Sequence, residues 1–450
     1  MSDRARADAV YEALLSRAGE RWVQPRKERT ARILTLLDDP QRTYRVVHIT
    51  GTNGKTSTAR IVEGLLRAHG LRTGLFTSPH LERFTERIMI DGEPIADAAV
   101  ADAWEEVEPF VGIVDAELEA AGDAPLTFFE LLTVLAFVAA ADAPVDVLVL
   151  EVGMGGSWDS TNTADGDVAV FAPIDVDHAD RLGETIAEIA EVKAGIIKDG
   201  AAVVSAAQAP EAEAVLRRAA AEKGATIAFD GADFGLAEQK LAVGGQLLTI
   251  RGLAGEYVEE YLPLYGAHQG HNAALAVAAV ESLIGGGTRP IAGDIVSEGL
   301  QGATSPGRLQ LLGVAPTVIV DAAHNPHGAA ALAQALGDSF DFDEWGLVLG
   351  VLEDKDVAGI VAQLAPAAAH VFATAPDSAR AGDADAIADL VERTGQRATV
   401  HPSLPDAADA AREWAASSER RAVVIAGSVV LAGEAIALAE EEDWKSGWRA

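Results

Sequence analysis

The chain has no cysteine, which removes disulfides, thiolate metal sites and a cysteine nucleophile in one step. Aromatic residues are scarce at 5%, although 49% of the chain is hydrophobic; the apolar content is therefore mostly aliphatic and small, suited to helices packed closely on sheets. Positive charge is also short: 35 Lys and Arg stand against 69 Asp and Glu, a formal charge of -34. Such a chain repels nucleic acid and anionic membranes, so neither is expected as a partner, and an anionic ligand must find a local positive site. Stretches such as "AWEEVE" and "AEEED" read as solvated helix faces that carry much of this charge. Long hydrophobic runs are missing as well. The longest, "LLTVLAFVAAADAP" (131–144), is interrupted by Asp142 and Pro144, short of a membrane span. The opening residues "MSDRARADAVYEALLSRAGERW" carry charge throughout and have no apolar core, unlike a secretory signal. A soluble cytoplasmic protein is expected.

What is present is an alternation. At 450 residues the chain exceeds one compact core. From Arg45 onward, short apolar runs alternate with segments of helical period, the pattern of a parallel sheet covered by helices. Candidate strands are "RVVHIT" (45–50), "TGLFTS" (73–78), "VDVLVLEV" (145–152), "GDVAVFAPI" (166–174) and "AAVVSA" (201–206). Several are apolar almost throughout, which favours burial on both faces. Ile61, Val62, Leu65 and Leu66 make one helical stripe, and Ile186, Ile189, Ala190 and Ile197 another. The stretch 227–265 reads instead as short strands with Gly turns, an antiparallel portion. A second α/β series starts after "LQGATSPGRL" (300–309). The expected fold is thus α/β: an N-terminal phosphate-loop domain over 1–303 with a mostly parallel sheet, and a Rossmann-like C-terminal domain over 304–450.

The stretch "VVHITGTNGKTSTARIV" (46–62) resembles a phosphate loop, G-x-x-x-x-G-K-[ST], in which Ile49 stands for the first Gly. The physics survives the loss. A buried strand ends at Thr50, two glycines free the turn, and a helix starts near Lys55 with unpaired N–H groups facing the loop. Lys55 then neutralises β/γ-phosphate oxygens, and Thr56 or Ser57 binds Mg2+. The plain alternative is a Gly-rich turn with a solvated lysine.

In parallel sheets the carboxyl ends of the strands share one edge, where ligands bind. Ser78 and His80 follow the second strand; Glu151 ends the most apolar one, with Asp159 beyond a Gly-rich turn; Asp175, Asp177 and His178 follow another, with Lys193 on the next helix. A glutamate beside a phosphate loop is a reasonable hard-oxygen ligand. Judged alone, Glu151 also fits a paired structural acid, His178 a hydrogen-bonded structural residue, and Lys193 a surface i, i+4 ion pair.

Taken in order, "HITGTNGKTS", "TSPHLERFTERI", "EVGMGGSWDSTN", "DHADRLGETIAEIAEVKAGI", "HQGHNAALA", "SPGRLQ", "DAAHNP" and "AGSVVLAGE" resemble the folylpolyglutamate synthase family, including its bifunctional form with dihydrofolate synthase activity, over about residues 40–435. The resemblance implies an ATP-dependent amide ligase of the Mur type, with its active site in the cleft between the two domains. It implies that Thr52, Asn53, Gly54, Lys55, Thr56 and Ser57 hold the triphosphate. Ser78, Glu151 and His178, with Thr56, match Mg2+ ligands for one or two ions, and Lys193 matches a lysine that becomes carbamylated. Asn272, Arg308 and Asp321 match nucleotide contacts, His324 lies beside the phosphates and the incoming glutamate, and Phe128 and Asp159 fall where the pterin is held. Implied substrates are ATP, L-glutamate and a reduced folate or dihydropteroate, joined through an acyl phosphate, in a protein expected to be a monomer. A Mur-type ligase acting on a peptidoglycan precursor and a nucleotide-controlled switch are the competing readings. Three departures stand out: Ser157 where the family usually has Arg, Ala322 where it has Gly, and Thr56 at a place often Gly in folate ligases.

Overall fold

Apolar runs too short for helices fold as one large sheet. The computed structural model describes residues 1–19, 26–177 and 179–445. Strands β1 (Arg45–Thr50), β2 (Thr73–Phe76), β3 (Ile88–Ile90), β4 (Glu93–Pro94), β5 (Val147–Glu151), β6 (Val168–Phe171), β7 (Ala202–Ser205) and β8 (Thr226–Phe229) lie in the order β4-β3-β2-β5-β1-β6-β7-β8. From β2 to β8 every pairing is parallel, and β5, all Val, Leu and Glu, is buried along its whole length, as a strand covered on both faces must be. The strands stop short of the apolar runs that announced them: β2 ends two residues before Ser78 and β6 three before Ile174. β3 and β4 add an antiparallel edge. Their turn, Asp91–Gly92, has φ of 50° and 85°, the left-handed pair that an Asp-Gly hairpin requires.

Helices α1 (Asp3–Leu15), α2 (Lys27–Leu36), α3 (Lys55–Ala68), α4 (Asp97–Ala120), α5 (Phe128–Asp142), α6 (Ala179–Leu182), α7 (Ile186–Ala194), α8 (Pro210–Glu222) and α9 (Ala267–Gly285) follow from the intervening periods. The α3 stripe Ile61, Val62, Leu65 and Leu66 is fully buried. In α7 the buried stripe is Ile189, Ala190, Lys193 and Ala194; Ile197 lies beyond the helix, buried on its own account. At the start of α5, Thr127 accepts from Glu130 N–H while the Glu130 carboxylate accepts from Thr127 N–H at 2.7 Å, a reciprocal cap that satisfies two otherwise orphaned donors. The same carboxylate meets buried Arg26 at 3.0 Å.

The stretch 227–265, read as holding an antiparallel portion, is divided. Residues 226–229 extend the large sheet as parallel β8, and only β9 (Gly235–Ala242), β10 (Gly245–Arg251) and β11 (Glu256–Leu262) form a separate sheet, with β10 and β11 antiparallel. Beyond it, β12 (Gln310–Val314), β13 (Thr317–Val320), β14 (Glu344–Leu349), β15 (His370–Ala373), β16 (Ala398–Val400) and β17 (Arg421–Ala426) form a six-stranded sheet of order β12-β13-β17-β14-β15-β16. It is parallel apart from β12. By contacts the chain divides into one unit of Met1–Ala242, Gln246–Pro263 and Gln269–Thr304, and a second of Val243–Gly245, Leu264–His268 and Ser305–Ala450. Among the described residues no helix is long and apolar enough to cross a membrane.

Candidate functional site

The turn between β1 and α3 admits no side chains at its glycines. Gly54 caps α3 with φ 83°, a left-handed conformation open to glycine, and a Cβ there would come 2.8 Å from Asn272 Oδ1. A Cβ on Gly51 would meet that of Ala172 at 2.7 Å. Thr52 ties the turn to the chain leaving β6: its N–H donates to Pro173 O at 2.8 Å, and its hydroxyl donates to Asp175 O at 2.9 Å. The first N–H groups of α3 are thereby left facing the loop, a site suited to phosphate.

Two lysines converge on this turn. Lys55 Nζ donates to Thr52 O at 3.0 Å and to Gly51 O at 3.2 Å. Lys193 Nζ, from α7, donates to the same Gly51 O at 2.8 Å. Lys193 is only 4% exposed, so it is not a partner in a surface ion pair: it occupies the fourth position after Ile189, on the buried stripe, and reaches inward. Burial, reinforced by the neighbouring Lys55 charge, lowers its pKa to about 7. Both lysines line a cavity with Thr50, Gly51, Thr52, Gly153, Met154 and Asp177.

Glu151 ends β5 beside Ile49 of β1 and is 1% exposed. It accepts from the Thr56 hydroxyl at 2.9 and 3.0 Å and from Ser78 N–H at 3.3 Å. Three of the four expected metal-binding residues, Thr56, Ser78 and Glu151, therefore meet; the fourth, His178, lies outside the described residues. Their donors are hard oxygens, which suits Mg2+ better than a soft metal. Among the described residues no three His, Asp or Glu cluster as a metal cage. The oxygen set thus fits Mg2+.

Asn272 bends over Gly54 and donates to Gln269 Oε1 at 3.1 Å; Gln269 in turn donates to the Ser57 hydroxyl at 3.4 Å. Gln269 was not singled out in the sequence. Its position three residues before Asn272, on the same helix face, is the signal that marks it.

Phe128 opens α5 and is buried, with the Arg87 guanidinium 5.3 Å from its ring centroid and Tyr11 edge-on at 6.4 Å. Asp159 is buried too. Its carboxylate accepts from Met154 N–H at 3.0 Å, from Thr161 N–H at 3.0 Å and from the Thr161 hydroxyl at 2.5 Å. Burial raises its pKa and those donors work against the rise. Ser157, the departure in the Gly-rich turn, packs against Gly195 at the end of α7, and its N–H donates to Val192 O at 2.8 Å.

In the second unit Asp321, at the end of β13, accepts from Leu309 N–H at 2.9 Å and Ala323 N–H at 2.8 Å. Burial raises its pKa and the Arg308 charge opposes the rise. His324 donates from Nδ1 to Ala322 O at 2.9 Å, which leaves Nε2 as the acceptor in the neutral ring. Ala322 keeps a negative φ, so the change from Gly strains nothing there.

The architecture has known counterparts. The Mur ligase middle domain matches residues 49–280 and the Mur ligase glutamate ligase domain residues 307–429. The dihydrofolate synthase/folylpolyglutamate synthase of Mycobacterium tuberculosis is 46% identical over 443 residues, covering 92% of this chain and 91% of its own. The solved M. tuberculosis folylpolyglutamate synthase complexed with ADP superposes with a TM-score of 0.92 at 44% identity, covering 97% of this chain and 99% of that one. The Escherichia coli protein in complex with DHPP and ADP gives 0.82 at 28% identity, covering 97% and 98%. A phosphate turn crowned by two lysines, a buried glutamate in its mouth and these matches have one common reading: the chain belongs to the dihydrofolate synthase/folylpolyglutamate synthase family of Mur ligases, and is an ATP-dependent ligase.

Proposed function

We propose that the chain joins L-glutamate to the carboxyl group of a reduced folate, and to that of dihydropteroate, while ATP is split to ADP and phosphate. The convergence of Thr56, Ser78 and Glu151 at the head of the Lys55 helix carries this reading; the ADP and DHPP held by the solved relatives support it. An acceptor carboxylate oxygen attacks the γ-phosphorus, the bond to the β-phosphate oxygen breaks, and ADP leaves. The glutamate amine then attacks the acyl carbon, phosphate departs, and the nitrogen loses a proton.

Every reactant is anionic, so the protein's task is to gather charge. Residues Thr52, Asn53, Gly54, Lys55, Thr56 and Ser57 cradle the triphosphate, with Lys55 opposing its charge. Asn272, Arg308 and Asp321 serve the nucleotide, and His324 the phosphates and glutamate. Thr56, Ser78, Glu151 and His178 would hold Mg2+, which when bound supplies further neutralisation of the transferring phosphoryl group. Lys193, whose lowered pKa makes the free amine abundant near neutrality, adds CO2 to become a carbamate with loss of a proton, and the anionic oxygens so placed on a buried amine would serve with Thr56, Ser78, Glu151 and His178 in holding Mg2+. Phe128 and Asp159 serve the folate side, Asp159 through the turn its carboxylate holds. The enzyme works in the cytoplasm as a monomer.

The test is product mass after incubation with ATP, Mg2+, glutamate and either dihydropteroate or a reduced folate. A gain of one glutamyl unit is expected with both. ATP hydrolysis indifferent to glutamate, with no mass gain on either acceptor, would overturn the proposal in favour of a nucleotide switch, and glutamate-independent ligation of a peptidoglycan precursor in favour of that substrate class.

A further inference from the structure

His48 sits in the middle of β1, completely buried, and the ligation chemistry has no use for it. Its Nε2 lies 3.0 Å from the Thr161 hydroxyl, which is itself 2.5 Å from Asp159 Oδ1. Thr161 is fully buried and Asp159 nearly so. A hydroxyl has one proton to give. An ionised carboxylate only accepts, so that proton points at Asp159, and the Thr161 oxygen must accept from His48, which sets the ring as the Nε2–H tautomer. The opposite polarity needs Asp159 protonated and His48 protonated on Nδ1. That nitrogen has no hydrogen-bond partner among the described residues, and a buried N–H left unpaired costs more than a bare lone pair. Reversal would also weaken the acceptor that Met154 and Thr161 N–H share. The relay therefore runs one way, from His48 to Asp159.

Its end is mechanically placed. Asp159 holds Met154 N–H at 3.0 Å, and the adjacent Gly153 is so close to the Phe129 ring that a Cβ would collide with it. Phe129 follows Phe128 at the head of α5. The other end of the turn has a separate tether, the Thr50 hydroxyl donating to Gly155 O at 2.8 Å. Loosening the relay acts first on the Gly153–Met154 side, which packs on Phe129 and also borders the phosphate-turn cavity, while Thr50 still holds Gly155 and Ile49 O still holds Val152 N–H at 2.9 Å.

We propose that His48 and Thr161 are positioning residues for the acceptor: through Asp159 they press the Gly153–Met154 turn against the aromatic head of α5, and so shape the surface on which the folate or pteroate ring system rests. This rests on the reading of Phe128 and Asp159 as the folate side of the site.

The experiment compares wild type, Thr161→Val, Thr161→Ser and Asp159→Ala in steady-state ligation. Thr161→Val keeps the shape and removes the hydroxyl; it should raise the acceptor KM about tenfold and move the ATP KM by less than about twofold. Thr161→Ser restores the hydroxyl and should return the acceptor KM to within about threefold of wild type. In 15N-histidine-labelled wild type, the resonance assigned to His48 by its loss in His48→Gln should report Nε2–H. Equal changes in both KM values, no change in either, or an Nδ1–H ring would overturn the relay. Should Thr161→Val not fold, the tautomer in the wild-type enzyme decides. If Asp159→Ala leaves the acceptor KM untouched, the folate-side reading fails instead; if it raises that KM while Thr161→Val does not, only the relay fails.

Discussion

Acidification should destabilise the N-terminal unit through His48 by an amount that one substitution isolates. The ring is entirely buried, and burial, with a smaller push from Lys198, lowers its pKa from 6.5 to about 3. The folded state therefore keeps the ring neutral while the unfolded chain takes up a proton. The contribution is complete above the unfolded pKa of 6.5 and is lost as pH falls from there towards about 3. Between pH values of about 7.5 and about 5, the unfolded state gains about RT ln(1 + 10^1.5), or about 2 kcal/mol, from this one group. His48→Gln removes the titration but keeps an amide N–H near the place of Nε2–H, so the bond to Thr161 can persist. Other titrating groups, including half-buried His80, whose pKa is also lowered to about 3, are shared by both proteins and cancel. Urea unfolding followed by far-UV circular dichroism at the two pH values supplies the comparison. The loss of stability on acidification should be smaller in the variant by about 2 kcal/mol. Parallel losses in the two proteins would mean that His48 is charged when folded, or that its surroundings are wetter than its burial implies.

Glu151→Gln keeps the volume and halves the oxygen donors at the mouth of the phosphate turn, so the Mg2+ concentration for half-maximal ligation should rise at least about tenfold; an unchanged Mg2+ titration would mark Glu151 as structural. Lys193→Ala should lose at least about 100-fold in ligation rate with partial recovery in short-chain carboxylic acids, which supply the missing carboxylate, and normal ligation by the variant would refute the carbamate. Since the Lys193 free amine prevails above about 7, carbamylation in the wild type should increase as pH rises through that value, measurable by 13CO2 incorporation; incorporation independent of pH would contradict the lowered pKa. Glu130→Gln strands buried Arg26, 3.0 Å from its present partner, and should cost about 3 kcal/mol in urea unfolding; a cost near zero would show that Arg26 reaches water or is fully satisfied by the Ala124 and Pro125 carbonyls.

What could be read from the residues was local or followed from strand direction. The strand, turn and helix around Lys55 lie within one short stretch, and the glycines that shape it are visible as such. Glu151 and Asp159 stood out because parallel strands bring their carboxyl ends to one edge whatever their order. The Asp91–Gly92 hairpin was equally local, yet its strands are so short that no alternation marked them.

Other features depended on which strand lies beside which. The order β2-β5-β1-β6 is not the order of the chain, and hydrophobic patterning buries a strand without naming its neighbour. The contact of Thr56 with Glu151 spans 95 residues and exists because β1 and β5 pair with Ile49 opposite Glu151. Lys193 stood at a spacing compatible with a surface pair or a buried stripe, and the rotation of α7 against the sheet made the choice. The sequence by itself thus determined an α/β fold with an anion-binding turn and acids at strand ends, because those are properties of short segments and of strand direction, while the ligase reading came from the resemblance of its ordered motifs to a known family. Only the tertiary structure decided that Lys193 faces inward onto Gly51 and that His48, Thr161 and Asp159 form a line, since burial and hydrogen bonding between distant segments arise from packing that no single segment encodes.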